Sequence, residues 1–135
     1  MTEYILDSYA WIEYLEGTSQ GEAVRELIED PDNEIHTCSV MVAEVLSKAL
    51  RANRMDIYEN ALRALERIPR IVNVDLGIAK RASIIHAKER KVQKDFGLAD
   101  AFLAAAAEKV GAMIVTGDPH FSGKENVVFL GEDNT

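Results

Sequence analysis

Four acidic residues stand in stretches that are otherwise apolar. Asp7 interrupts Tyr-Ile-Leu-Asp-Ser-Tyr-Ala-Trp-Ile, Glu44 interrupts Ser-Val-Met-Val-Ala-Glu-Val-Leu, and Asp100 interrupts Gly-Leu-Ala-Asp-Ala-Phe-Leu-Ala-Ala-Ala-Ala. Asp118 follows an apolar run in Ile-Val-Thr-Gly-Asp-Pro-His-Phe. A lone carboxylate among apolar neighbours is costly unless it is paired or protonated. Taken singly, Asp7, Asp100 and Asp118 read as caps or turn residues and Glu44 as a surface helix residue. Taken together, they read as a shared site for a counter-cation. No lysine or arginine lies within those segments to supply the charge. A hard divalent ion would, and all-oxygen coordination suits Mg²⁺ or Mn²⁺ over softer metals. Such an ion lowers the pKa of a bound water and stabilises charge growing on a substrate oxygen.

For four distant acids to meet, the chain must bring them to one rim. Short apolar runs alternate with longer amphipathic stretches. Strands are expected at 4–6, 34–37, 71–74, 112–115 and 127–130. Helices are expected at about 9–15, 21–29, 40–53, 56–68, 77–90 and 98–110. Pro31-Asp32-Asn33 marks a turn, Ser39 and Asp56 suit N-caps, Pro69 stops a helix and Gly111 suits a C-cap. This alternation predicts an α/β domain with a mainly parallel sheet covered on both faces. In such sheets, ligands bind beyond the carboxyl ends of the strands. Asp7 directly follows the first strand, and Asp118 follows the fourth by a short step. Glu44 lies early in the helix that leaves the second strand. Asp100 lies at the start of the helix that returns to the fourth. All four therefore fall at the carboxyl edge.

Bulk properties set the limits. The chain has 135 residues, 47% hydrophobic and 28% charged, which suits one soluble domain spanning 1–135. A single cysteine, Cys38, excludes an intramolecular disulfide and a multi-thiolate zinc site. No apolar run is long enough to span a membrane, and Met-Thr-Glu-Tyr offers no basic leader, so the expected location is the cytoplasm. The net charge of −8 counts against nucleic-acid binding by bulk electrostatics, and fits acids clustered around a cation.

The four acidic segments, in this order and across essentially the whole chain, resemble those of PIN-domain nucleases. The similarity is greatest to the VapC-like toxins of bacterial and archaeal toxin–antitoxin pairs. The resemblance implies a three-layer α/β/α domain whose five-stranded parallel sheet has the order 3-2-1-4-5, so that Asp7 and Asp118 meet at the switch point. It implies that Asp7, Glu44, Asp100 and Asp118 form the catalytic metal site, with Ser8 and Thr116 as supporting hydroxyls. It further implies an endoribonuclease using one or two Mg²⁺ or Mn²⁺ ions, a homodimer, and a co-encoded antitoxin as partner. Where two metals are bound they would sit roughly 3.5–4 Å apart, and four acids suffice for either count.

The marked acidity departs from an RNA-binding surface. The segment Lys88-Glu89-Arg90-Lys91-Val92-Gln93-Lys94 offsets it locally, and Lys91 and Lys94 are candidate phosphate contacts; a solvated helix end explains them equally well. Lys48, Arg51 and Arg54, spaced three apart, are a second basic stripe. Other residues are given structural roles. Asp95, near Asp100, is within reach of the rim as a fifth acid but reads more simply as a loop or helix cap, Glu13 reads as solvated, and Trp11, Phe102 and Phe121 as core. His120 closely follows Asp118, but a metal-activated water makes a histidine base unnecessary.

Two other functions remain open. A receiver-like signalling domain also places acids at a parallel sheet edge. Asp75 would be its phosphoacceptor and Thr116 its hydroxyl, but Leu130-Gly131-Glu132-Asp133 lacks the required lysine. A non-catalytic binding module with the same fold is the other. A ribonuclease assay with and without Mn²⁺ separates these from a nuclease. No Gly-x-Gly-x-x-Gly or Walker-type loop supports a nucleotide-binding fold.

Overall fold

The computed structural model describes residues 1–131, so Glu132 and Asp133 lie outside the described residues. Five strands form a single parallel sheet in the order β3-β2-β1-β4-β5. They are β1 (Thr2–Leu6), β2 (Asn33–Cys38), β3 (Arg70–Val72), β4 (Met113–Thr116) and β5 (Val127–Phe129). The helices between them are α1 (Ser8–Glu16), α2 (Ser19–Glu29), α3 (Ser39–Arg51), α4 (Met55–Arg67), α5 (Leu76–Glu89) and α6 (Leu98–Val110). The fold class and strand order expected from the sequence are those observed.

Adjacent strand residues point to opposite faces, and the core follows that two-residue period. Ile5 and Ile114 pack with α5 and α6, whereas Leu6 and Val115 pack with α1, α2 and α4. Helix α3 serves both sides, with Met41 in the first cluster and Val45 in the second. The alanines of α6 allow close approach: Ala101, Ala105, Ala106 and Ala107 are all buried against sheet and α5. Trp11 is wholly enclosed, and its indole nitrogen donates to Thr37 Oγ1 at 3.1 Å. Thr37 in turn donates to the Leu6 carbonyl at 2.8 Å, so this buried polar pair is satisfied. Trp11 and Phe121 are core residues and Phe102 packs at the core edge, as expected.

The helix ends differ from expectation in instructive ways. Helix α1 begins at Ser8 because Asp7 itself is the N-cap, accepting from Ala10 N at 2.8 Å. Ser39 is the first residue of α3, after Cys38, and its hydroxyl accepts from Val74 N at 3.4 Å, tying α3 to the segment after β3. Asp56 does not cap α4; it lies in the first turn and forms a two-bond pair with Arg54, the residue before the helix. Asp75 caps α5 through Ile78 N and pairs with Lys109, which accounts for it without a phosphoacceptor role. Gly111 does end α6 in the left-handed region, with φ of 68°. A short 3-10 helix, Pro119–Phe121, was not expected.

Helices α1 and α2 cross where Gly21 leaves room. A Cβ on Gly21 would overlap the Glu13 carbonyl of α1, which is backbone and cannot rotate away. Gly21→Ala is therefore expected to destabilise the protein by roughly 1–3 kcal/mol, the usual cost of overpacking. Urea denaturation measures this; an unchanged midpoint would show that α1 and α2 can separate freely.

Candidate metal centre

The carboxyl ends of β1 and β4 are bonded together just below the rim, since Asp7 N donates to the Val115 carbonyl at 3.2 Å. This register puts residue 7 beside residues 116–118. A cavity of about 260 Å³ opens there, lined by Asp7, Ser8, Glu44, Lys48, Asp100 and Asp118 among others. The chain thus brings together all four acids singled out from the sequence, and Ser8 with them. Each comes from a different place: the end of β1, the second turn of α3, the first turn of α6, and the step after β4.

Thr116 organises two of them. It is fully buried, and its hydroxyl donates to Asp7 Oδ2 while accepting from Asp118 N at 2.9 Å. One side chain therefore fixes both the Asp7 carboxylate and the backbone that carries Asp118. Asp118 Oδ1 accepts from His120 N at 2.9 Å, closing the turn. Asp100 Oδ2 accepts from Gly97 N at 3.2 Å, so this acid closes back on the start of its own helix.

The electrostatics are those of crowded, poorly solvated anions. Asp7 is only 5% exposed, and burial is the main force that pushes its pKa up to about 7. The Thr116 and Ala10 hydrogen bonds pull the other way, and the charges of Asp118 and Asp100 add to the rise. Asp100 is also raised above the ordinary carboxylate range, by burial first and then by Asp118. Glu44 contributes to that rise through its own charge. Carboxylate oxygens held this way are the donor set of a hard divalent cation, and the residues present fit one.

Two side chains given other roles in the sequence reading belong to this rim. His120 Nδ1 lies 3.0 Å from Asp118 Oδ1 and 3.2 Å from Asp100 Oδ2, and its Nε2 lies 3.1 Å from Asp95 Oδ1. Asp95 is thus a partner of His120, not a cap. Burial lowers the His120 pKa, but the Asp95 hydrogen bond and the charges of Asp118, Asp100 and Asp95 outweigh it and raise the ring overall. Lys48, one turn along α3 from Glu44, also lines the cavity. Of its stripe, Arg54 is tied to Asp56 and Arg51 bonds Ser47. The only sequence signal for His120 is its two-residue spacing from Asp118, and for Asp95 its nearness to Asp100. Lys91 and Lys94 are exposed on the segment between α5 and α6, outside the cavity lining. That segment docks beside it, with Gln93 Nε2 donating to the His120 carbonyl at 3.1 Å.

A family model described as PIN domain matches residues 4–126, and the chain belongs to the PIN domain family. Solved structures share the fold across nearly the whole chain. A toxin–antitoxin complex from Klebsiella pneumoniae is 21% identical, covering 96% of this chain and 99% of that one, with a TM-score of 0.75. DNA-bound VapBC from Salmonella typhimurium is 17% identical, covering 96% and 99%, with a TM-score of 0.72. The VapC20 toxin of Mycobacterium tuberculosis, described as cleaving the sarcin–ricin loop, is 15% identical over 82% and 85%, with a TM-score of 0.67. A search of curated proteins finds no match. Among the described residues, no helix is long and apolar enough to cross a membrane.

Proposed function

We propose that this protein is a metal-dependent endoribonuclease, the toxin of a toxin–antitoxin pair, acting through Asp7, Glu44, Asp100 and Asp118. The observation that carries the reading is that four carboxylates from four elements line one cavity at the joined ends of β1 and β4. Membership of the PIN domain family and fold similarity to VapC and toxin–antitoxin structures support it. A cytoplasmic location is part of the same reading.

Asp7, Glu44, Asp100 and Asp118 would hold one or two Mg²⁺ or Mn²⁺ ions. A divalent ion in that position supplies an activated water and a counter-charge for the phosphate oxygens. Thr116 and Ala10 N keep the Asp7 carboxylate in one orientation, so it needs no rearrangement when substrate arrives. Lys48 stands at the rim, where a backbone phosphate would approach. Ser8, buried next to Asp7 in the chain, also lines the cavity. The direct test is cleavage of a fluorogenic RNA, with Mn²⁺ and then with EDTA. Cleavage that survives EDTA would remove the metal from the reaction, and no cleavage of any RNA would favour a non-catalytic module.

Thr116→Val removes the shared hydroxyl without changing the side-chain shape. Its expected cost is about 10–100-fold in cleavage, the range for partners that orient metal ligands. Unchanged kinetics would show that Asp7 holds its position alone.

Lys91 and Lys94 are proposed to contact RNA phosphates. Changing both to Ala is expected to reduce the salt slope of single-stranded RNA binding by about 0.7 per lost phosphate contact. An unaltered slope would leave them as solvated surface.

The partner would be a co-encoded antitoxin, with the nuclease itself a homodimer. An arginine or lysine from the antitoxin would fit the acid-lined cavity and compete with the metal. Sedimentation with the co-encoded neighbour, with and without excess Mn²⁺, tests both points. A monomer, or a complex whose affinity ignores the metal, would count against this arrangement.

A further inference from the structure

We propose that His120 Nδ1 is a nitrogen ligand of the divalent ion, beside Asp100 and Asp118, and that Asp95 positions the ring from behind. The inference rests on the metal-site reading above, and extends it to a residue outside the carboxylate set. Three observations carry it. First, His120 Nδ1 is buried and has no hydrogen-bond partner of acceptable geometry, although two carboxylates lie within 3.2 Å. An orphaned buried ring nitrogen needs an explanation, and ligation of a cation is one. Second, one ligand atom each from Asp100, Asp118 and His120 lies within 4.8 Å of the others, close enough to surround one cation. Third, the other ring nitrogen, Nε2, faces Asp95 Oδ1 at 3.1 Å. A metal-ligating histidine almost always donates its second N–H to a carboxylate or carbonyl, which sets the tautomer and the ring angle. With that N–H on Asp95, a cation held by Asp100 and Asp118 would displace the proton from Nδ1 and take its lone pair.

The ring is also held from its edges. Phe96 packs edge-on against His120, with ring centroids 5.7 Å apart, and Gln93 grips the His120 carbonyl. The residues from Gln93 to Phe96 thus fix both Asp95 and the imidazole, giving that segment a role beyond joining α5 to α6. The chemical consequence is metal choice. Mg²⁺ keeps to oxygen ligands, whereas first-row transition ions accept an imidazole nitrogen, Mn²⁺ more weakly than the later members, so one nitrogen donor among the oxygens biases the site toward Mn²⁺ over Mg²⁺.

Pulsed electron paramagnetic resonance on the Mn²⁺-loaded protein tests this without any cleavage assay. A ¹⁴N coupling of a directly bound imidazole is expected in the wild type and is expected to vanish in His120→Gln. Calorimetry should show that His120→Gln weakens Mn²⁺ by about 10-fold or more while Mg²⁺ changes little. Asp95→Asn should keep the ¹⁴N coupling and weaken Mn²⁺ about 10–100-fold. Circular dichroism confirms that both variants fold. If Mn²⁺ binds and Asp100→Asn weakens it, but no ¹⁴N coupling is seen, His120 is only a counter-charge to the acids and this proposal falls while the carboxylate site stands. If Mn²⁺ does not bind at all, both fall.

Discussion

Asp118→Asn and Asp7→Asn are each expected to lower Mn²⁺-dependent RNA cleavage by more than about 100-fold, beyond the range seen when only an orienting partner is lost. Asparagine keeps the shape and one acceptor oxygen, so the fold should survive. At position 118 the amide oxygen can still accept from His120 N. At position 7 it can still cap α1 through Ala10 N. What is removed is a negative charge facing the other acids. The loss should appear in kcat, with RNA binding changed far less, because the carboxylate is needed to hold the cation that would offset the negative charge growing on the phosphate oxygens. Single-turnover cleavage with matched circular dichroism spectra measures it. Near wild-type rates in both folded variants would remove these residues from the reaction.

The second large effect is on stability, and it has the opposite sign. In the metal-free protein, Asp7 loses its proton at about pH 7 when folded, against an ordinary value of 3.8. Between those values the folded state binds more protons than the unfolded state. Stability therefore falls as pH rises from about 4 to about 7, and stays low above. The burial that raises Asp100 adds to the same trend. Asp7→Asn removes the ionisation, so in EDTA at pH 8 the variant should melt higher than the wild type. Each 1 kcal/mol is worth roughly 4 °C at this chain length. Its melting temperature should also fall less between pH 5 and pH 8. Adding Mn²⁺ should raise the wild type well above its metal-free value and raise the variant less, by mass action on the folded state. A variant that melts lower than the wild type at pH 8 in EDTA, with the pH profile unchanged, would show that Asp7 is not under electrostatic strain.

These effects trade against each other. A group of acids that repel one another when empty is a reservoir of strain, released by a cation. The same carboxylate that destabilises the metal-free fold is the one the reaction is proposed to need, a familiar exchange of stability for function.

Much of this arrangement was legible in the amino-acid order. The α/β alternation follows from apolar runs such as Tyr4–Leu6 and Met113–Val115 set between longer amphipathic stretches, because a parallel strand buried on both faces needs apolar side chains in succession. Asp7, Glu44, Asp100 and Asp118 stood out because each breaks an apolar segment, and a lone buried charge always demands a partner. Helix starts were less legible: a cap and a member of the acidic set are alternative readings of Asp7 from sequence, yet it caps α1 and stands among the four acids at once. Local pattern cannot show that one carboxylate serves two purposes.

What the sequence by itself determined was the set of elements and the four isolated acids, since hydrophobic period and an unpaired charge are properties of neighbours along the chain. What only the tertiary structure decided was who meets whom across it. Thr116 reaches Asp7 from 109 residues away because β1 and β4 are paired in one register. Asp95 meets His120 because Phe96 packs against His120 and Phe121 and draws the preceding segment to the rim. Lys48 joins the acids because α3 leaves β2 toward the same edge. Such contacts depend on crossovers and close packing, which sum over the whole chain, and so leave no mark on the residues beside them.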